Sequence, residues 1–188
     1  MESKIKNLFI TGLPKNGKTT LIKEICKKYF GKVCGFFTEE IMENNERIGF
    51  KIINTENESE IFALKHNKKL DNYSGEIKHY KKYKILVSNL EKIGVEYINK
   101  NLNTNKIFVI DEIGSMEILS EKFCSLIVML LNSKYNVVST IRHNSQPFID
   151  DIKKISNSKI FILSRKNFTV VFKSVCQYLD HWIKENEH

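Results

Sequence analysis

The chain has 188 residues, 41% hydrophobic and 28% charged, which suits one soluble domain with a core of its own. No apolar run approaches the roughly 18 residues a membrane span needs, and "MESKIKNLFI" has no signal-peptide profile, so a cytoplasmic protein with no membrane partner is expected. The net charge is +8, yet of 30 basic residues only Arg47, Arg142 and Arg165 are arginines, which leaves a nucleic-acid partner open but not favoured.

In chain order, "NLFIT" (7–11) is a short buried strand that runs into a Gly-containing loop. "TTLIKEICKKYF" (19–30) spaces its apolar residues as a helix, and Gly31 ends it. "KVCGFFTEE" (32–40) returns as a strand. "MENNERIGFKIIN" (42–54) sets Asn-Asn between two β-prone runs, which predicts a hairpin, and "SEIFALK" (59–65) adds another strand. "HYKKYK" (79–84) is the densest basic and aromatic patch and reads as a strand edge with a solvated face; "YKILV" (83–87) is a strand. "SNLEKIGVEYINKNL" (88–102) reads as a helix whose Ser88 and Glu91 form a capping box. "KIFVIDEIG" (106–114) is a continuous apolar run, as in a parallel strand buried on both faces. "SEKFCSLIVMLLNS" (120–133) is a helix with a Ser N-cap. "NVVSTI" (136–141) and "SKIFIL" (158–163) read as buried strands, and "NFTVVFKSVCQYLDHWIKEN" (167–186) as a closing helix.

Helices thus alternate with apolar strands, without repeats or Pro/Gly linkers. The fold class expected is α/β: one three-layer domain spanning 1–188, a mainly parallel sheet flanked by helices, and a hairpin-rich insert near residues 35–65. Cys26, Cys34, Cys124 and Cys176 have neither metal-ligand spacing nor a disulfide context and are read as free thiols.

The chemistry lies in "GLPKNGKT" (12–19), which fits G-x-x-x-x-G-K-[ST] between a predicted strand and a predicted helix, the context this phosphate-binding motif requires. Gly12 and Gly17 let the backbone bend towards the phosphates. Leu13, Pro14, Lys15, Asn16 and Thr20 complete the loop, whose N–H groups and helix N-terminus carry partial positive charge. Lys18 is placed to reach the β- and γ-phosphates, and the Thr19 hydroxyl to ligate Mg²⁺. A metal-holding carboxylate is needed on a neighbouring strand, and Asp111 supplies it at the end of "IFVID". Glu112 follows at once, where it can polarise an attacking water, so the pair favours hydrolysis of the triphosphate over its storage.

"DEIG" also fits the D-x-x-G of GTPase switches, but no N-K-x-D guanine-reading sequence follows: "NKKL" (67–70) and "NKNL" (99–102) both lack the Asp. Small-molecule kinases, which gather arginines around the transferred phosphate, are disfavoured by a chain with three. A nucleoside or polynucleotide 5′-hydroxyl kinase is the main rival, and a nucleic-acid-coupled module with nucleotide as regulator the second.

"GFFTEEIMENNERIGFKI" (35–52) and "VIDEIGSMEILSEKF" (109–123), with "ITGLPKNGKTTL", "TI" (140–141) and "PFIDDIKK" (147–154) in order, resemble the THEP1 family of nucleoside-triphosphatases, the group that includes the human cancer-related NTPase. The resemblance spans nearly the whole chain. It implies a fold related to RecA-like and AAA+ ATPases, Mg²⁺-dependent hydrolysis of NTP to NDP and phosphate, and broad base tolerance. Carried across by position, the phosphate loop is Gly12 to Thr20 and the acidic pair Asp111 and Glu112.

The chain departs from the family pattern at Lys15-Asn16, where Gly-Val is common, and at Leu86, where an Asp is usual. Asn167-Phe168-Thr169 replaces an Asn-Arg-Asp signature, and Arg142, just past "VVSTI", is the candidate to take over the missing arginine's work as a catalytic group. Arg47 is read as an ion-pair partner of Glu39 or Glu40 before a phosphate or base contact, and Phe36 and Phe37 as packing on a strand face. The chain is expected to act as a monomer.

Overall fold

The computed structural model describes residues 4–70 and 72–186, so the ends of the expected 1–188 domain lie outside the described residues. A single nine-stranded sheet runs through them. In chain order the elements are β1 (Asn7–Thr11), α1 (Lys18–Lys28), β2 (Val33–Glu43), β3 (Glu46–Asn54), β4 (Ser59–Lys65), β5 (Ile77–Tyr80), β6 (Tyr83–Leu86), α2 (Val87–Leu90), α3 (Tyr97–Lys100), β7 (Ile107–Ile113), α4 (Glu121–Leu131), β8 (Val137–Ile141), α5 (Pro147–Lys153), β9 (Ser158–Ile162) and α6 (Phe168–Asn186). A π-helical segment, Glu91–Glu96, joins α2 to α3. The strand order is β5-β6-β4-β3-β2-β7-β8-β1-β9.

The sheet has two halves. β2, β7, β8, β1 and β9 pair in parallel, and β7, β8 and β1 are buried along almost their whole length because helices cover both faces. The other half is an antiparallel wing: β3, β4, β6 and β5 extend outward from β2. The hairpin-rich region expected near 35–65 is therefore no separate insert. It continues the same sheet and reaches residue 86, because β2 is long enough to pair in parallel with β7 at its start and antiparallel with β3 along its length. The β2–β3 turn matches its sequence signal: Asn44 and Asn45 both take positive φ (49° and 60°), as a two-residue type I′ hairpin requires. The "HYKKYK" stretch forms the β5–β6 hairpin at the wing's open edge.

Strand alternation divides the core. Leu8, Ile10, Ile107, Val109 and Val138 face α1 and α6, where Leu21, Ile25, Val175, Leu179 and Trp182 complete one apolar layer. Phe9, Phe36, Phe108 and Ile110 face the other way, onto Leu90, Ile93 and Ile98 of the α2–α3 helix and onto Phe123 and Ile127 of α4. This is the expected three-layer arrangement.

Two local expectations need correction. The Ser88–Glu91 capping box does not form: the helix starts earlier, at Val87, Ser88 Oγ accepts from the Glu76 N–H at 3.0 Å, and Glu91 accepts from Ser120 Oγ at 2.8 Å and Lys122 at 2.7 Å. β9 is not buried: among the described residues it is an edge strand paired with β1 alone, and Lys159, Ile160 and Ile162 are exposed. The Ser120 cap on α4 does form, accepting from Phe123 N–H at 3.1 Å, a contact worth about 1 kcal/mol. The four cysteines are free thiols, and no described helix is long and apolar enough to cross a membrane.

Candidate active site

β1, β7 and β8 end side by side, and their carboxyl ends carry the chemistry. After Thr11 the chain turns through the P-loop into α1. Both glycines are demanded by geometry. Gly12 has φ 154°, and a Cβ there would lie 2.3 Å from the Leu163 carbonyl oxygen; Gly17, the residue before α1, has φ 90°. Lys18, in the first turn, bends back so that Nζ donates to the Gly12 carbonyl at 3.1 Å. That contact holds the ammonium over the loop.

Lys15 has φ 65°, a left-handed conformation that costs a non-glycine residue about 1 kcal/mol or more. Its side chain is exposed and lines a cleft of about 570 Å³ with Thr20 and Lys23, a cleft that Lys18, Thr19 and Glu112 also border. Because no hydrogen bond or ion pair of the Lys15 side chain joins it to those groups, Lys15→Gly is expected to raise stability by about 0.5–1 kcal/mol, the relief of left-handed strain less the backbone entropy glycine adds, in a denaturant titration and leave turnover unchanged. Slower turnover would make the Lys15 side chain a participant in catalysis.

Asp111 is buried (1% exposed) with both carboxylate oxygens engaged. Oδ2 accepts from Thr19 Oγ1 at 2.7 Å and Oδ1 from Thr140 Oγ1 at 2.5 Å. Burial raises its pKa, against the pull of those two hydroxyls and of Lys18. The donor set is hard oxygen from Thr19 and Asp111, the kind that Mg²⁺ takes while keeping several waters, so these residues fit the ion. The β7 ladder to β8 shifts register between Ile110 and Ile113, and the Asp111–Glu112 peptide there is cis.

Glu112 is turned away from Thr19 and stands between the Lys15 cleft and a second cleft of about 500 Å³ that reaches Arg142, lining both. A third of its side chain remains exposed, and Oε2 lies 3.9 Å from Lys18 Nζ. Burial first, and then the Asp111 charge, push its pKa up to about 7, with Lys18 and Arg142 opposing. A carboxylate balanced near neutrality is suited to accept a proton. Glu117 stands behind it, 4% exposed, its pKa raised to about 8 by burial and by Glu112. Sequence reasoning saw Glu117 only as part of a family pattern.

The far wall of this cleft belongs to the antiparallel wing, and it was not foreseen. Arg142, just after β8, donates from Nη1 to the Tyr80 hydroxyl at 3.1 Å. The neighbouring Ser115 hydroxyl and then the Arg142 hydrogen bond lower the Tyr80 pKa. Ser115 Oγ donates to Gln146 Oε1 at 2.8 Å. Arg47 pairs with Glu40 at 2.5 Å, as expected, and donates from Nε to Tyr83 at 3.2 Å while lying 4.9 Å from the centre of the Phe50 ring. Phe36 is fully buried in the core; Phe37 packs against the α1–α6 layer. Lys18, Thr19, Asp111, Glu112 and Arg142 thus meet at one cleft, whereas Phe168 lies on the other side of β1, after β9. Arg142 and position 168 therefore approach the P-loop from opposite sides of β1.

The family model described as NTPase matches residues 7–176. The chain belongs to the THEP1 family of nucleoside-triphosphatases. It is 37% identical over 174 residues to the nucleoside-triphosphatase THEP1 of Thermotoga sp. (strain RQ2), covering 92% of this chain and 94% of the relative. It is 34% identical over 172 residues to the Methanocaldococcus jannaschii THEP1, covering 89% and 94%. The crystal structure of THEP1 from Aquifex aeolicus superposes with a TM-score of 0.80 at 29% identity, over 92% of this chain and 98% of that one. The solution structure of a human cancer-related nucleoside triphosphatase has the same fold, with a TM-score of 0.74 at 22% identity over 93% and 97%. As a THEP1 member the chain is a hydrolase of nucleoside triphosphates, built on the P-loop fold the sequence predicted.

Proposed function

We propose that this hydrolase is Mg²⁺-dependent, accepts all four common NTPs, and works through Glu112. The observation that carries the reading is the position of Glu112. It faces the open cleft 3.9 Å from Lys18, while Asp111 beside it is turned inward onto Thr19. One carboxylate is thus free to handle water and the other to hold a cation.

Mg²⁺ held by Thr19 and Asp111 would neutralise charge between the β- and γ-phosphates. The rest is done by the chain. The P-loop amides and Lys18 fix the triphosphate. Glu112 accepts a proton from the water as its oxygen bonds to Pγ, and the bond from Pγ to the bridging oxygen breaks. The diphosphate leaves with that electron pair, and Lys18 offsets the charge it gains.

Arg142 is assigned to the γ-phosphate, and Tyr80 to positioning it. Tyr80→Phe is expected to lower kcat about 2- to 10-fold, the worth of one hydrogen bond, with KM unchanged. In Arg142→Ala the same change should have no further effect, since the two act as a unit. Additive losses in the double variant would separate them.

The reaction class is tested with γ-labelled ATP, with and without nucleosides, RNA or DNA. Label is expected only in free phosphate, at a rate independent of nucleic acid and abolished by chelation of Mg²⁺. Label in an acceptor would replace the hydrolase reading with a kinase. Turnover that requires nucleic acid would replace it with a coupled module.

A further inference from the structure

On the other side of the P-loop lies a loop that the phosphate chemistry leaves unused. Residues 163–167, between β9 and α6, are clamped onto the P-loop. Asn16 Nδ2 donates to the Leu163 carbonyl at 3.1 Å, and Arg165 Nε to the Lys15 carbonyl at 3.4 Å. The ring of Phe168 lies 3.4 Å from where a Cβ on Gly17 would stand, and it stacks on Phe172 with centroids 6.4 Å apart and planes within 10°. The Asn167 carboxamide is engaged at both ends within the loop, accepting from Ser164 N–H at 2.7 Å and donating to the Ile162 carbonyl at 2.9 Å. The Arg165 side chain is exposed, and Phe168 is half-buried.

The sheet order gives this loop its meaning. β7 and β8, which carry Glu112 and Arg142, lie on one side of β1, and β9 lies on the other. Glu112 must face the γ-phosphate, so the phosphate chain runs across the P-loop away from β7 and β8. The nucleoside then leaves on the β9 side, where Arg165 and Phe168 stand. A planar guanidinium and an aromatic ring present flat faces to a base, and every base has a flat face. The one carboxamide in the loop is already satisfied, so it does not read a base edge.

We propose that Arg165 and Phe168 form the nucleobase subsite, holding the base by stacking and thereby without regard to its identity. This rests on the reading that Glu112 marks the γ-phosphate end, and it deepens that reading by naming what grips the other end of the substrate.

The test compares ligands with and without a base. KM is measured for ATP, GTP, CTP and UTP, beside the inhibition constant of inorganic tripolyphosphate, which has no base. Arg165→Ala and Phe168→Leu are expected to raise KM for all four NTPs by a similar factor, roughly tenfold for loss of one stacking partner. The tripolyphosphate constant and kcat should not move. Unchanged KM values would overturn the proposal, as would a tripolyphosphate constant that rises in step, because Arg165 would then be holding phosphate. So would a base-dependent loss produced by Arg47→Ala in the wing cleft. Phe168 packs against the core, so if its variant does not fold, the exposed Arg165 carries the test alone. Failure of the hydrolase reading is seen separately, in the wild-type protein's turnover.

Discussion

Glu112→Gln is expected to cut turnover by about 10²- to 10⁴-fold, the usual contribution of a positioned general base, and to leave nucleotide affinity where it was. Gln fills the same space and keeps an acceptor oxygen towards the cleft, but it takes no proton from water. The pH dependence is the sharper readout. In the free enzyme the Glu112 pKa is raised to about 7, by burial and by the neighbouring Asp111. The ionised form is the base, so kcat/KM, which reports free-enzyme groups, should climb with pH through about 7 and then level off. The sign follows from the direction of the shift: protonation below that range removes the base. In Glu112→Gln the residual kcat/KM should be flat across the same interval. A variant that turns over at the parent rate, or that keeps the rise near 7, would take the role away from Glu112. Binding of a non-hydrolysable analogue in both proteins separates lost chemistry from a collapsed site.

The parts of the site that could be read in the sequence are those whose chemistry is local in the chain. The P-loop is such a case: the two glycines, Lys18 and Thr19 do their work within eight residues, so spacing alone specifies them. Asp111 and Glu112 were legible because a buried parallel strand shows itself as an apolar run and the first carboxylates after it stand at the sheet's carboxyl edge. Tyr80 was not legible. It reaches Arg142 only because the wing folds beside the parallel half, a contact 62 positions apart in the chain, and no local pattern encodes it. β9 was misread for a related reason. Its apolar residues match those of a buried strand, and only the strand order reveals that it has no neighbour beyond β1. Ser88 and Glu91 had the spacing of a capping box, but both found stronger partners across the fold, Glu76 and Ser120, which local propensity does not count. Lys15 is the opposite case. Its departure from the family's Gly-Val was visible in the motif, and the structure gives Lys15 the positive φ that a glycine would adopt at less cost.

Lys18→Ala is expected to do what Glu112→Gln does not, and lose affinity and turnover together. The Lys18 side chain is 12% exposed, its ammonium anchored on the Gly12 carbonyl at 3.1 Å and facing Glu112 at 3.9 Å. It stands where the β- and γ-phosphates must lie, so it meets them in the ground state and again as charge moves onto the leaving diphosphate. A charge-assisted hydrogen bond is worth about 1.5–3 kcal/mol, which predicts a nucleotide Kd roughly 10- to 100-fold weaker. The further loss in kcat should be about 10²- to 10³-fold, the scale for removing one donor aimed at developing charge. A second effect follows from the carboxylates. Lys18 holds the Glu112 pKa down against burial and Asp111. Without it the pKa moves further up, and the rise in residual kcat/KM should shift to higher pH. Lys18→Arg tests whether charge alone suffices. Its planar fork differs from a compact ammonium and cannot repeat the single bond to Gly12 from the same place, so rescue should be partial in affinity and small in kcat. An alanine variant that binds the analogue as tightly as the parent would mean that the loop amides alone hold the phosphates, and that Lys18 serves only to set the charge of Glu112.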